Sequence, residues 1–283
     1  MVNALTIDLE EFFHGDNLEQ YWPESEWESA PLRGHYTVPP LLDTLDEHDV
    51  KCTWFVLGWM AEKEPDVVRR VADAGHEIGC HAYSHQLVYQ QNPDSFRQEI
   101  SRATEVVEDA TGVRPTVFRA PCFSINATSL WALDIIKEFG YEIDSSLFPV
   151  PRGPYRVPSL PSGPSMLENG LIEFPPTAIE TFGLRFPVAG GGYCRFMPNW
   201  LVINLLKRAE RSQVPLNFYC HPWEFDCRQP RTPIPSPLRA FRHYVGRSSF
   251  STLFDTLLST MKWGTISEVA RRYLNRAGGK VGG

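Results

Sequence analysis

Short apolar runs alternate with amphipathic ones along the chain, which is the pattern of repeated β/α units. Ala4–Ile7 reads as a strand. Val38–His48 reads as a helix, with Pro39 and Pro40 in its first turn and Leu41, Leu42 and Leu45 on one face. Lys51–Leu57 is a buried strand, Ala61–Ala74 a helix ended by Gly75, and His76–Cys80 the next strand. Asn92 and Pro93 supply a cap and a first helical residue, followed by Phe96, Ile100, Ala103 and Val107 at helical spacing. Thr116–Phe118, Tyr141–Ile143, Leu171–Phe174 and Leu216–Cys220 read as further strands. Leu130–Phe139, stopped by Gly140, reads as a helix, as do Asn199–Arg208 and Thr265–Leu274, the last opened by Thr265 and Glu268 as a capping box.

Seven or eight such units predict an α/β fold, a distorted (β/α) barrel. No composition break separates two domains, so residues 1–277 are expected to form a single domain. Its long loops are expected at about 149–164 and 226–237, and residues 278–283 are expected to form a disordered tail. At 283 residues, with 42% hydrophobic and 22% charged positions, the chain can bury a sizeable core. A formal net charge of −7 argues against an electrostatic hold on nucleic acid or on an anionic membrane, but not against an uncharged or cationic glycan. The six cysteines form no close CxxC pair; Cys52, Cys80 and Cys220 sit in apolar runs and read as reduced, buried thiols. No stretch approaches the ~20 apolar residues a transmembrane helix needs. No basic and apolar leader precedes the first strand, so a cytoplasmic location is expected.

Ionisable residues recur just past the C-terminal ends of successive strands: Asp8 and Glu10, His81 and His85, Arg119, Asp144, and His221. In a β/α barrel those ends converge on one mouth, where active sites are built. Two imidazoles four apart, with a carboxylate, form the set that suits catalytic zinc; a core histidine beside a solvated one is the blander alternative. Asp8 and Glu10 can divide labour between holding metal and taking a proton from water, while Glu11 reads as part of a solvated turn. Arg119 needs a carboxylate partner, and an ion pair there is compatible with orienting a catalytic Asp. Asp144 could instead cap the turn that follows it. His221 is placed either as a proton donor or in a structural turn.

Taken together these motifs resemble the polysaccharide deacetylases with a NodB-homology domain, carbohydrate esterase family 4. The segments that carry the resemblance are Thr6 to Glu10, His81 to His85, Phe118 to Pro121, Asp144 to Leu147 and Leu216 to His221, with Thr53 to Gly58 and Gly75 to Ile78 in support. Asp8 to His14, Glu173 to Pro176, Gly190 to Tyr193 and His221 to Glu224 are similar to the subfamily found with exosortase-type exopolysaccharide loci.

The resemblance implies a metal-dependent hydrolase that removes N-acetyl groups from the amino sugars of a polysaccharide or its precursor. It carries the metal, expected to be zinc, onto Glu10, His81 and His85, and the base onto Asp8. It carries the proton donor onto His221, the orientation of Asp8 onto Arg119, the raising of the His221 pKa onto Asp144, and an oxyanion contact onto the backbone N–H of Cys122. Leu9 separates two carboxylates that are adjacent in most of the family, and Cys122 stands where an aromatic residue is common. Trp223, Tyr193 and His14 are candidate substrate contacts, with Trp22 and Trp27 as further aromatic candidates; Trp54 and Trp59 read as core. Gly190–Gly192 reads as a tight or flexible loop at the mouth. The partner is an N-acetylated glycan, and association with a polysaccharide-synthesis complex is compatible with the reading. The alternatives are a catalytically silent glycan-binding scaffold, or hydrolysis of a small cyclic amide or formamide on the same fold.

Overall fold

A computed structural model describes all residues except 16, 17, 19, 20, 150–156, 158, 159, 161, 182 and 279–283. Most of the loop expected at 149–164, and all but the first residue of the tail expected at 278–283, therefore lie outside the described residues. In chain order the strands and α-helices are β1 (Val2–Leu9), α1 (Gly34–Glu47), β2 (Thr53–Val56), α2 (Gly58–Lys63), α3 (Pro65–Asp73), β3 (Glu77–Cys80), α4 (Pro93–Thr111), β4 (Val117–Phe118), α5 (Trp131–Glu138) and β5 (Ile143–Asp144). Then come β6 (Ser165–Met166), β7 (Ile172–Glu173), β8 (Ala178–Thr181), β9 (Leu184–Pro187), α6 (Gly191–Cys194), α7 (Asn199–Glu210), β10 (Asn217–Cys220), α8 (Pro237–Tyr244), α9 (Arg247–Thr260), β11 (Lys262–Gly264) and α10 (Ile266–Gly278).

The main sheet runs β10-β1-β2-β3-β4-β5-β7-β6, with β11 also on β1. All its pairings are parallel except β6 with β7. Between β7 and β10 the ring is joined by irregular chain: Asn217 Nδ2 donates to Phe174 O at 2.7 Å, and Thr177 N–H donates to Asn217 O at 3.1 Å. The result is the distorted (β/α) barrel that the alternating pattern predicts.

Strand alternation decides what faces the interior. On β1, Leu5, Ile7 and Leu9 pack outward against the helices, so Ala4, Thr6 and Asp8 point inward. On β10, Phe218 and Cys220 are the outward pair. The floor of the barrel is apolar, closed by Phe55, Val117, Ile143 and Phe174 against Ile266, Val269 and Ala270 of α10. Gly79 lies on that floor because a Cβ there would meet Phe55 at 2.6 Å and Val117 at 2.8 Å. Hydrophobic closure at one end leaves the strand C-termini as the polar end.

Two helices differ from expectation. The segment Ala61–Ala74 is split into α2 and α3, because Pro65 starts a new helix and Glu64 before it leaves helical geometry, at φ −126° and ψ 57°. Helix α1 begins a turn before the prolines, which lie inside it. Its start is fixed from a distance: the Glu11 carboxylate accepts the backbone N–H groups of Arg33 and, at 2.7 Å, of Gly34. Glu11 is thus buried as a helix cap rather than solvated in a turn.

Candidate active site

Glu10, His81 and His85 meet at the mouth of the barrel, each offering one ligand atom, all within 4.8 Å of one another. His85 Nε2 stands 2.7 Å, and His81 Nε2 3.9 Å, from Glu10 Oε2. His81 Nδ1 lies 2.8 Å from the carbonyl of Arg119, which fixes the N–H on Nδ1 and leaves the Nε2 lone pair facing Glu10. Burial pulls the His81 pKa down to about 4, so it is neutral, the form a metal ligand needs. Burial alone would raise the Glu10 carboxyl, but the imidazoles of His85, His221 and His81 outweigh it and hold it well below the carboxylate range. Its Oε2 is buried, and its close partners among the described residues are the imidazole nitrogens of His85 and His81. A buried ionised oxygen set between two imidazole nitrogens fits a divalent cation. The loop between the two histidines is strained to make this set, with Ala82 at φ 60° and His85 itself at φ 57°.

Asp8 is the inward residue two before Glu10, so Leu9 goes to the outer core while both carboxylates reach the mouth. Its Oδ1 is 2.6 Å from Nη1 of Arg119, which also donates to Thr6 Oγ1 at 2.9 Å. The other guanidinium nitrogen, Nη2, donates to Ser145 Oγ at 2.9 Å, and the group stacks over Phe55 at 4.2 Å. Arg119 is fully buried, so this ion pair positions Asp8 rigidly. The second oxygen, Oδ2, lies 3.9 Å from His221 Nε2.

His221 is held by a residue the sequence reading missed. Its Nδ1 lies 3.1 Å from Oε2 of Glu224, whose other oxygen takes Nε–H of Arg195 at 2.8 Å. Arg195 in turn donates to the carbonyls of His243 and Val245. Burial lowers the His221 pKa, but Glu224, Glu10 and Asp8 outweigh it and lift it to about 9. The expected tuning by Asp144 is therefore corrected. Asp144 pairs in register with Phe118 and Glu173. Phe118 belongs to the outer core, so Asp144 turns away from the barrel interior and Ser145 turns in. Asp144 Oδ1 accepts from Ser146 Oγ at 2.5 Å, and Glu173 is its cross-strand neighbour. No ion pair joins Asp144 to His221 among the described residues.

These groups line a cavity of about 430 Å³ with Cys122, Phe123, Phe148, Tyr193, Phe196, Tyr219 and Trp223 among its walls. Cys122 and Phe123 both adopt φ 53°, a left-handed turn that brings this backbone to the cavity. Tyr193 lines the mouth and is exposed. Trp223 also lines the cavity, but it is buried and stacked on His221 at 4.9 Å, with its indole N–H donating to Glu10 Oε1 at 3.1 Å. It holds the carboxylate as well as forming a wall. His14 lies behind His85, stacked at 6.0 Å, and its Nδ1 accepts from Glu11 N–H, so it is not among the cavity-lining residues. Trp22 and Trp27 pack on Phe13 and do not line it either. Trp54 and Trp59 are core. Gly191 opens the short helix α6, and a Cβ there would fall 2.0 Å from Glu224 Oε2. The glycine run is thus a close approach that seats Glu224.

Residues 27–143 match the family model described as Polysaccharide deacetylase, and residues 145–271 match the Domain of unknown function DUF3473. Over the first of these spans the chain is similar to the polysaccharide deacetylases. That span contains His81, His85 and Arg119, whereas His221, Glu224 and Arg195 lie in the second and Asp8 and Glu10 precede both.

Among curated proteins, the chain is 40% identical over 97 residues to a peptidoglycan-N-acetylglucosamine deacetylase of Bacillus cereus, covering 34% of this chain and 35% of that one. It is 29% identical over 125 residues to a peptidoglycan deacetylase of Helicobacter pylori, covering 44% and 41%. The matched region is thus well under half the length of these relatives. A solved structure from Mycobacterium smegmatis, assigned to the polysaccharide deacetylases, superposes with a TM-score of 0.65 at 21% identity, over 97% of this chain and 90% of that one. A CE4 family pseudoenzyme from Bacillus anthracis superposes with 0.50 at 16% identity, over 95% and 65%. The fold is therefore shared with these structures, and activity has to be argued from the site itself.

Proposed function

We propose that the chain is a metal-dependent N-deacetylase of amino-sugar glycans. The observation that carries this is the convergence, in one cavity, of the Glu10/His81/His85 cluster with Asp8 and His221. A silent scaffold has no use for a buried carboxylate set against two imidazoles, with a second carboxylate and a protonated imidazole facing it.

A divalent cation held by Glu10, His81 and His85, for which the nitrogen-rich set favours zinc, would supply Lewis acidity to an acetamide carbonyl and to a water. Asp8, fixed by Arg119, takes the water proton as the water oxygen bonds to the carbonyl carbon. The Cys122 backbone N–H meets the negative charge that develops on the carbonyl oxygen. His221, protonated and held by Glu224, gives its proton to the sugar nitrogen as the C–N bond breaks, releasing acetate and a free amine. Phe148, Tyr193 and Trp223 offer flat apolar walls to a sugar ring. The likeness of Asp8–His14 and His221–Glu224 to the exopolysaccharide-locus subfamily favours an exopolysaccharide or its precursor as the glycan. Acetate release from short N-acetylglucosamine oligomers, with metal content measured on the same sample, tests the reading.

A further inference from the structure

The net charge of −7 is unevenly spread. Residues 227–254 contain Arg228, Arg231, Arg239, Arg242 and Arg247 but no Asp or Glu, and residues 181–209 also contain no acidic residue. Helix α8 lies within the first stretch. Its inner side is anchored: His243 is buried and stacked on Trp223 at 5.3 Å, and the Tyr244 hydroxyl accepts Thr232 N–H at 2.9 Å. Its outer side is bare. Leu238, Phe241 and Arg242 follow the i, i+3, i+4 spacing of one helical face, and Leu238 and Phe241 are 69% and 57% exposed. Phe241 touches Phe196, itself 43% exposed, with ring centroids 5.8 Å apart. Phe196, Tyr193 and Arg242 form part of the rim of the active-site cavity. Neither Arg239 nor Arg242 has an acidic partner among the described residues.

We infer that this face docks on an anionic lipid bilayer. Single exposed apolar side chains are ordinary, but here aromatic and aliphatic groups adjoin one another and are flanked by unpaired guanidiniums. Leu238, Phe241 and Phe196 offer nothing to hydrogen-bond a soluble polyanion, whereas they gain by entering the boundary between headgroups and acyl chains. The arginines supply the complementary charge that the acidic remainder of the chain lacks. No helix among the described residues is long and apolar enough to cross a membrane, so the contact is peripheral. Because the patch borders the cavity, docking would turn the active site toward glycans presented at a lipid surface. The inference does not depend on the proposed reaction.

Co-sedimentation with vesicles tests it. The protein is expected to bind phosphatidylcholine vesicles containing phosphatidylglycerol, to leave pure phosphatidylcholine vesicles, and to be released by salt. Arg239→Glu should weaken binding by about fivefold per unit of charge changed. Leu238→Ser, at an exposed position outside the cavity, should weaken binding while thermal unfolding stays unchanged. Absence of binding to the anionic vesicles at low salt would overturn the inference. So would binding that Leu238→Ser leaves intact and that dextran sulfate reproduces without lipid, which would identify a polyanion site instead.

Discussion

Glu224 Oε2 lies 3.1 Å from Nδ1 of His221 and 3.0 Å from the backbone N–H of the same residue, so one carboxylate oxygen fixes both the ring and its main chain. Burial alone would raise the Glu224 carboxyl, but Arg195 and His221 outweigh it and hold it below its ordinary value. An ionised acceptor on Nδ1 keeps a proton there and leaves Nε2 aimed at the cavity.

Replacing Glu224 by glutamine should therefore lower kcat by about 10²–10⁴-fold, the usual range for losing a general acid. Metal content and KM should change little, and Glu224→Asp should recover part of the rate. Steady-state kinetics and metal analysis of both variants check this; loss of metal in step with rate would mean that Glu224 is merely structural.

Trp223 reaches the Glu10/His81/His85 cluster from the other side, through its indole N–H on Glu10 Oε1. Trp223→Phe keeps a ring to stack on His221 but removes that donor. Affinity for the metal should fall about 10–100-fold, as for other partners that orient a ligand. Competition with a chelator measures it.

Asp144 and Glu173 form a buried pair of carboxyls side by side on adjacent strands. Glu173 Oε1 accepts the Leu147 N–H, while Oε2 has no donor among the described residues. Two acceptors so placed are best satisfied by a shared proton. Burial raises both, and for Glu173 the charge of Asp144 adds to it. A carboxyl whose folded pKa is raised gives stability that is fully present below its unfolded pKa and is lost as pH rises through the folded one. Glu173→Gln supplies a donor without a titrating proton. The wild type should lose stability relative to this variant as pH rises above 4.5. Denaturant unfolding at several pH values checks the divergence; parallel curves would contradict it.

Much of the fold was legible because it rests on local signals. Asn92 caps α4 by accepting N–H groups from Asp94 and Ser95, and Gly112 ends it at φ 70°. What was missed depended on distance or direction. The start of α1 is set by Glu11, more than twenty residues upstream, so the prolines suggested a later start. Helix α9 went unread although Phe250, Leu253, Phe254, Leu257 and Leu258 carry a helical period.

The candidate site was legible where its residues follow strand ends, as for Asp8, His81, Arg119 and His221. It was misread where the strand face mattered: Asp144 ends a strand too, but alternation turns it outward. Glu224 had a usable signal in its place three residues after His221, at the spacing of a capping box. Arg195 had none, since its partner is twenty-nine residues away and only the fold joins them.

The most direct test is bound metal and acetate release measured together on wild type, His81→Ala and His221→Ala. Stoichiometric metal and acetate release are expected in wild type, loss of both in His81→Ala, and metal retained with most turnover lost in His221→Ala. Full turnover in either variant, or a folded wild type that binds no metal and releases no acetate, would contradict the proposed function.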